Sequence, residues 1–247
     1  MGRSRERGWL SSVCCGVVRV AAQVMTLFLR MCVLDIHTHV LPDVAGTAVV
    51  CIGCGPLPQD SGGHLLSAGL HPWDVTGQDD SQLQALKRVL ASPQVVAVGE
   101  CGFDALRGPS RELQEQAFRC QQNLSETFGK PMILHVVREF DTLLRLKKEL
   151  NPSQQWLVHG FRGGPEQLGQ LAAHGIHVSF GIRFNPDSIR AVPLDRLFLE
   201  TDGNADIGSV LGAASAVLHI PVARLERQIA DNVRAFIKTD TQICTIR

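Results

Sequence analysis

The sequence predicts an α/β chain that closes into a (β/α) barrel of the TIM type. Two observations carry that expectation. Short apolar, β-branched runs alternate with amphipathic helical stretches along most of the chain, as a parallel sheet wrapped by helices requires, and most of those runs end abruptly in a histidine or a carboxylate. Length agrees, because 247 residues at 45% hydrophobic content suit one large core in one barrel-sized domain.

The first run, Met31 to Leu34, closes on Asp35-Ile36-His37-Thr38-His39. Alternate side chains of a strand share a face, so His37 and His39 are presented together with Asp35 one step behind. Such a pair reads either as ligands of a shared divalent cation or as two solvated loop histidines. Thr47 to Ile52 is the next strand, stopped by Gly53 and Gly55, and no helix fits between it and His39. Leu65 to Leu70 follows and ends at His71-Pro72-Trp73, where Pro72 turns the chain. Leu83, Leu86, Val89 and Leu90 recur at helical spacing and place a helix over 79–90, capped by Asp80 or Ser81. Val95 to Val98 is a buried strand that runs into Gly99-Glu100. A carboxylate directly after four apolar residues is costly to bury without a partner or a metal.

The alternation continues with a helix over 109–128, a strand over 131–134 ending at His135, a helix over 138–150, and a strand over 155–158 ending at His159. Helix 166–173 and strand 175–180 come next, then a weaker helix near 186–191 before Leu197-Phe-Leu199, which ends in Glu200-Thr201-Asp202. Two helices finish the chain, one over 207–216 and one over 221–237 with Pro221 in its first turn.

Charge and cysteine content narrow the function classes. Lys plus Arg and Asp plus Glu number 24 each, so no global positive field would hold nucleic acid or a membrane surface, and an anionic substrate must be gripped locally. No stable membrane partner is expected. Eight scattered cysteines lack the framework of a small secreted scaffold and read as free thiols of a cytoplasmic protein. Cys51-Ile-Gly-Cys54 has the spacing of a zinc knuckle or redox pair, but no second pair matches it, and the plainer reading is a buried strand end carrying two thiols. Residues 1–30 begin with Arg3, Arg5 and Arg7, and Arg19 and Gln23 cut their apolar run into pieces shorter than a span. They are expected to be an extension outside the fold, with residues 31–247 forming the barrel domain.

Side chains at the carboxyl ends of barrel strands converge on one mouth. His37, His39, His71, Glu100, His135, His159 and Asp202 would meet there as a mixed nitrogen and oxygen site for one or two divalent ions, with Glu100 suited to bridging. The motifs in sequence order are Asp35-x-His37-x-His39, Gly69-Leu-His-Pro72, Val98-Gly-Glu-Cys-Gly-Phe-Asp104, Ile133-Leu-His135, His159-Gly-Phe-Arg-Gly163 and Leu199-Glu-Thr-Asp202. Together they resemble the TatD family of metal-dependent hydrolases from Met31 to about Lys238. The resemblance implies a TIM barrel with divalent-metal-dependent deoxyribonuclease activity. It implies that His37 and His39 hold one metal with Glu100 and Asp202, and that Glu100, His135 and His159 hold the second, the candidate ions being Zn, Mg and Mn. Three departures stand out. The stretch from His39 to His71 is short for the family, so the first quarter of the barrel is expected to be abbreviated or incomplete. Thr201-Asp-Gly-Asn204 replaces the family's Thr-Asp-Ala-Pro, and Arg162 replaces a small residue.

The expected chemistry is hydrolysis of a phosphodiester of DNA by a two-metal-activated water, with Asp202 and Glu100 as the catalytic carboxylates. His71 and Arg162 are the candidate substrate contacts, and Arg138 and Arg183 can supply further local charge or lie solvated on the surface. Trp73 can stack on a base or pack across the mouth, and Asp35 can support a metal histidine or approach the metals itself. Glu200 has no assigned role, while His64, His174, His177 and His219 read as structural or solvated. Two other functions fit the residues: a metal-dependent amidohydrolase or esterase, and a metal-retaining protein acting through a partner.

Overall fold

The computed structural model describes residues 33–59, 61–77 and 81–238. The 1–30 extension, the start of the first apolar run at Met31 and the expected cap Asp80 lie outside the described residues. Eight parallel strands close in chain order: β1 (Asp35–Thr38), β2 (Ala48–Cys51), β3 (Leu65–Ala68), β4 (Val95–Asp104), β5 (Met132–Val137), β6 (Trp156–Val158), β7 (Ile176–Phe180) and β8 (Leu197–Leu199). The ring shuts where Asp35 of β1 pairs with Leu199 of β8. The expected shortfall in the first quarter is therefore a shortfall of connections and not of strands. Among the described residues no helix separates β1 from β2 or β2 from β3, and closure is complete.

From β3 onward the connections carry the helices. A 3₁₀ turn over Pro72–Asp74 precedes α1 (Ser81–Leu90), and α2 (Arg111–Phe128), α3 (Phe140–Leu150), α4 (Pro165–Ala173), α5 (Pro186–Ala191), α6 (Ile207–Leu218) and α7 (Val222–Ile237) follow. Their limits obey local chemistry. Ser110 accepts the Leu113 N–H at the start of α2, and Gly129 ends that helix in the left-handed region at φ 65°. Asn185 and Asp206 cap α5 and α6 through their side chains. Pro165 opens α4 from the first turn, whereas Pro221 sits one place earlier than expected, as the cap of α7.

Strand β4 departs most from the sequence reading. It continues six residues past Val98, and all ten of its residues are buried. Gly99 and Gly102 look like strand breakers in the sequence, yet they are what lets β4 approach β5. A Cβ at Gly99 would stand 2.3 Å from the Ile133 carbonyl oxygen, and one at Gly102 would stand 2.1 Å from that of His135. The outer layer locks onto this strand through aromatic packing: Phe103 of β4 meets Phe118 of α2 at 4.9 Å between ring centroids, and Phe118 meets Trp156 of β6 edge-on at 5.2 Å. Among the described residues no single helix is long and apolar enough to cross a membrane.

Candidate metal centre

The carboxyl ends of the strands converge as expected, and Glu100 is their hub. The residue is buried at 4% exposure. Oε1 lies 2.7 Å from His159 Nε2, 2.9 Å from His135 Nδ1 and 3.1 Å from His71 Nε2. Oε2 lies 3.2 Å from His39 Nε2 and 3.4 Å from His37 Nε2. Asp202 completes the His37 and His39 side, with Oδ1 at 3.6 and 3.4 Å from their Nε2 atoms. Asp202 is held there in the left-handed region, φ 51°, where its N–H donates to the His37 carbonyl at 3.0 Å. Asn204, where the family has proline, donates to the Asp202 carboxylate at 3.2 Å. His39, Cys51, His71, Trp73, Glu100, His135, His159, Asp202 and Asn204 help to line an open cavity of about 520 Å³.

The electrostatics are those of a site built for cations. Burial raises the Glu100 carboxyl, but the imidazoles of His135, His159, His37 and His39 outweigh it and hold the group far below the usual carboxylate range. Asp202 is likewise held low, burial being outweighed by His37 and His39. Burial pushes His159 down, yet Glu100 and Glu200 carry it well above its ordinary value. His37 is wholly buried, and neither ring nitrogen has a hydrogen-bond partner although Nε2 faces two carboxylates. Buried nitrogens left this way are rare in folded proteins unless an ion satisfies them. Four groups of donors have ligand atoms within 4.8 Å of one another, among them His37, His39 and Asp202, and His37, Glu100 and His159. The donor set fits divalent cations.

Protons separate ligands from other contacts. His71 Nδ1 accepts the Trp73 backbone N–H at 3.2 Å, so the ring's proton is on Nε2, which donates to Glu100. A nitrogen that carries its proton is not a metal ligand, so His71 is a hydrogen-bond donor in the mouth. His135 stands between two carboxylates, Nε2 3.2 Å from Asp104 Oδ2 and Nδ1 2.9 Å from Glu100 Oε1. A cation on Nδ1 leaves the ring proton on Nε2, where Asp104 accepts it. Two acceptors facing each other at 2.9 Å need a cation or a proton between them.

Asp104 was not singled out from the sequence, because a strand ending at Val98 hides that positions 100 and 104 share a face. Its carboxylate also accepts the Trp73 indole N–H at 2.7 Å and the backbone N–H groups of Leu106 and Arg107 at 2.8 and 3.1 Å. Glu200 gains a role as well. It is buried, receives Ser179 Oγ at 2.5 Å, and stands 3.7 Å from His159 Nδ1, behind that ring. Asp35 supports rather than coordinates: it accepts the Thr201 N–H and hydroxyl at 3.0 and 2.6 Å and pins the segment after β8 to β1 beneath the site.

The arginines stand outside the cavity lining. Arg162 is exposed and does not line the cavity, because its neighbour Phe161 takes the inward position, buried at 2%. Arg138 and Arg183 are exposed as well. Arg107, also exposed, stands with its guanidinium 3.8 Å above the ring of Trp73, which lines the cavity.

Known proteins bear on this geometry. The family model described as TatD related DNase matches residues 59–238, a range that begins after His37 and His39. The 3'-5' ssDNA/RNA exonuclease TatD of Erwinia billingiae is 33% identical over 147 residues, 55% of this chain and 56% of that one. The protein of the same name in Escherichia coli K12 is 30% identical over 149 residues, and the metal-dependent hydrolase YcfH of that strain is 32% identical over 147. The chain spans about half the length of the curated relatives it matches. Among solved structures, YjjV, a TatD homologue from Escherichia coli K12, superposes with a TM-score of 0.71 at 20% identity, covering 85% of this chain and all of that one. A TatD family hydrolase from Entamoeba histolytica gives 0.64 at 18% identity, covering 76% and 83%. The fold is thus that of these neighbours, and with the family model matching most of its length, the chain belongs to the TatD-related DNase family.

Proposed function

We propose that this protein is a divalent-metal-dependent nuclease that hydrolyses phosphodiester bonds of DNA, in a cytoplasmic setting that suits its free cysteines Cys51, Cys54, Cys101 and Cys120. One observation carries the reading: a single buried carboxylate, Glu100, is shared by five imidazoles at an open barrel mouth, and the most buried of these, His37, has no hydrogen-bond partner. His37 and His39 with Glu100 and Asp202 would hold one ion, and Glu100, His135 and His159 a second. Ions bound there supply Lewis-acid activation of water and neutralise phosphoryl charge.

The remaining roles fall to the chain's own groups. Asp202, half-open to solvent at 36% side-chain exposure, is placed to accept a proton from an attacking water. His71 Nε2–H is free to exchange Glu100 for a phosphate oxygen. Trp73, 39% exposed at the rim with Arg107 over its ring, offers a base a stacking partner, and the guanidinium offers charge to the neighbouring phosphate. With no net charge on the chain, an anionic substrate depends on local contacts of this kind.

Metal-stripped protein reloaded in turn with magnesium, manganese and zinc, and offered single-stranded DNA, a generic phosphodiester and an N-acyl amino acid, tests the reading. Metal-restored cleavage of the DNA is expected. Turnover of the N-acyl amino acid alone would replace the proposal with amide hydrolysis.

A further inference from the structure

Cys51 ends β2 on the wall of the same cavity, and none of the ligand or substrate roles above uses it. Its sulfur, His39 and Glu100 have ligand atoms within 4.8 Å of one another. Two backbone contacts fix the sulfur there: the Glu100 N–H donates to Sγ at 3.4 Å, and Sγ faces the Gly99 carbonyl at 3.8 Å. Across the same space stands His37, fully buried, its Nε2 unpartnered and directed at Glu100 and Asp202. An orphaned buried nitrogen facing two carboxylates marks the position of a cation, and Cys51 borders it. Cys54 does not share that wall. It packs against apolar neighbours, so the Cys-x-x-Cys spacing makes neither a redox pair nor a zinc knuckle.

We propose that Cys51 is a further ligand, through Sγ, of the cation held by His37, His39, Glu100 and Asp202, and that it biases this centre toward a thiophilic ion such as zinc over magnesium. The inference rests on the metal centre proposed above. Its chemical ground is ligand softness: magnesium takes oxygen ligands in near-octahedral geometry and gains little from sulfur, whereas zinc and cobalt accept mixed sulfur, nitrogen and oxygen sets. The His135 and His159 side has no sulfur among its candidate ligands, so the two ions would differ in kind.

The test uses the full chain, stripped of metal and titrated with cobalt(II). A thiolate on cobalt gives an intense near-ultraviolet charge-transfer band beside the weak visible d–d bands. Both are expected in the wild type; Cys51→Ser should keep the d–d bands and lose the charge-transfer band, while Cys54→Ser keeps both. Zinc affinity should fall at least about tenfold in Cys51→Ser, with magnesium affinity within about twofold of wild type. Zinc X-ray absorption on the unaltered protein reads the same point without any variant and should show a sulfur scatterer. Cobalt protein with d–d bands but no charge-transfer band, or a band that survives in Cys51→Ser, overturns the role of Cys51 and leaves the metal centre standing. Protein that retains no cobalt overturns both.

Discussion

Replacing Asp104 with asparagine changes one atom and should disable half of the metal centre. Both Asp104 oxygens receive only N–H donors: Oδ1 takes Leu106 and Arg107, and Oδ2 takes Trp73 Nε1 and His135 Nε2. An amide nitrogen in the first position meets two backbone N–H groups. In the second it meets the indole N–H, which can only donate, and it forces the His135 proton over to Nδ1, the atom that must face the ion. No orientation of the amide fits. Losing the partner that fixes a ligating histidine costs roughly 10–100-fold in metal affinity, which is about 1.4–2.7 kcal/mol, and the buried unmatched donor costs about 1–3 kcal/mol of fold stability. Isothermal titration of stripped Asp104→Asn with manganese, beside a urea melt, reads both quantities. Metal affinity and turnover equal to wild type would refute the assignment of His135 Nδ1 as the ligand atom.

Other consequences are smaller and separable. Arg107→Ala should raise KM for single-stranded DNA several-fold and flatten its salt dependence, whereas Arg162→Ala should leave both within about twofold; the reverse order would restore Arg162 to the site. Phe118→Ala empties the contact between Phe103 and Trp156 and should cost about 3–5 kcal/mol in a denaturant titration; a loss below about 1 kcal/mol would mean that those rings do not anchor α2 to the barrel. His177, packed among Phe198 and Phe236, is pushed down by burial from 6.5 to about 4. Because the folded state disfavours its protonated form, the stabilisation is complete above pH 6.5 and is lost as pH falls toward 4, by at most about 3 kcal/mol. His177→Phe should flatten that part of the stability–pH curve, and an unchanged slope would contradict the burial argument.

Much of the site was legible because barrel strands are short and parallel: a polar residue that closes an apolar run lies at the mouth whatever its distance along the chain. That logic placed His37, His39, Glu100, His135, His159 and Asp202 around one point. It failed where a side chain's task depends on a neighbour in space. Asp104 was hidden because the apolar run ends at Val98, whereas Gly99 and Gly102 carry the strand onward by admitting the β5 backbone. Arg107 lies in a loop with no periodicity to orient it, and only the Trp73 ring beneath it marks its place. Arg162 lies three residues after His159, and closeness in sequence did not bring it into the cavity lining. The short connections before β3 suggested a damaged barrel, but closure depends on strand register, which survives the loss of outer helices.

The central claim is that Glu100 is the common ligand of two ions. Metal content after exhaustive dialysis, measured by mass spectrometry on the wild type and on Glu100→Gln, addresses it most directly. Two equivalents of divalent metal per chain are expected in the wild type, and loss of both, with metal-dependent DNA cleavage abolished and the fold retained, in Glu100→Gln. A Glu100→Gln protein that keeps two equivalents and near-normal cleavage would contradict the account.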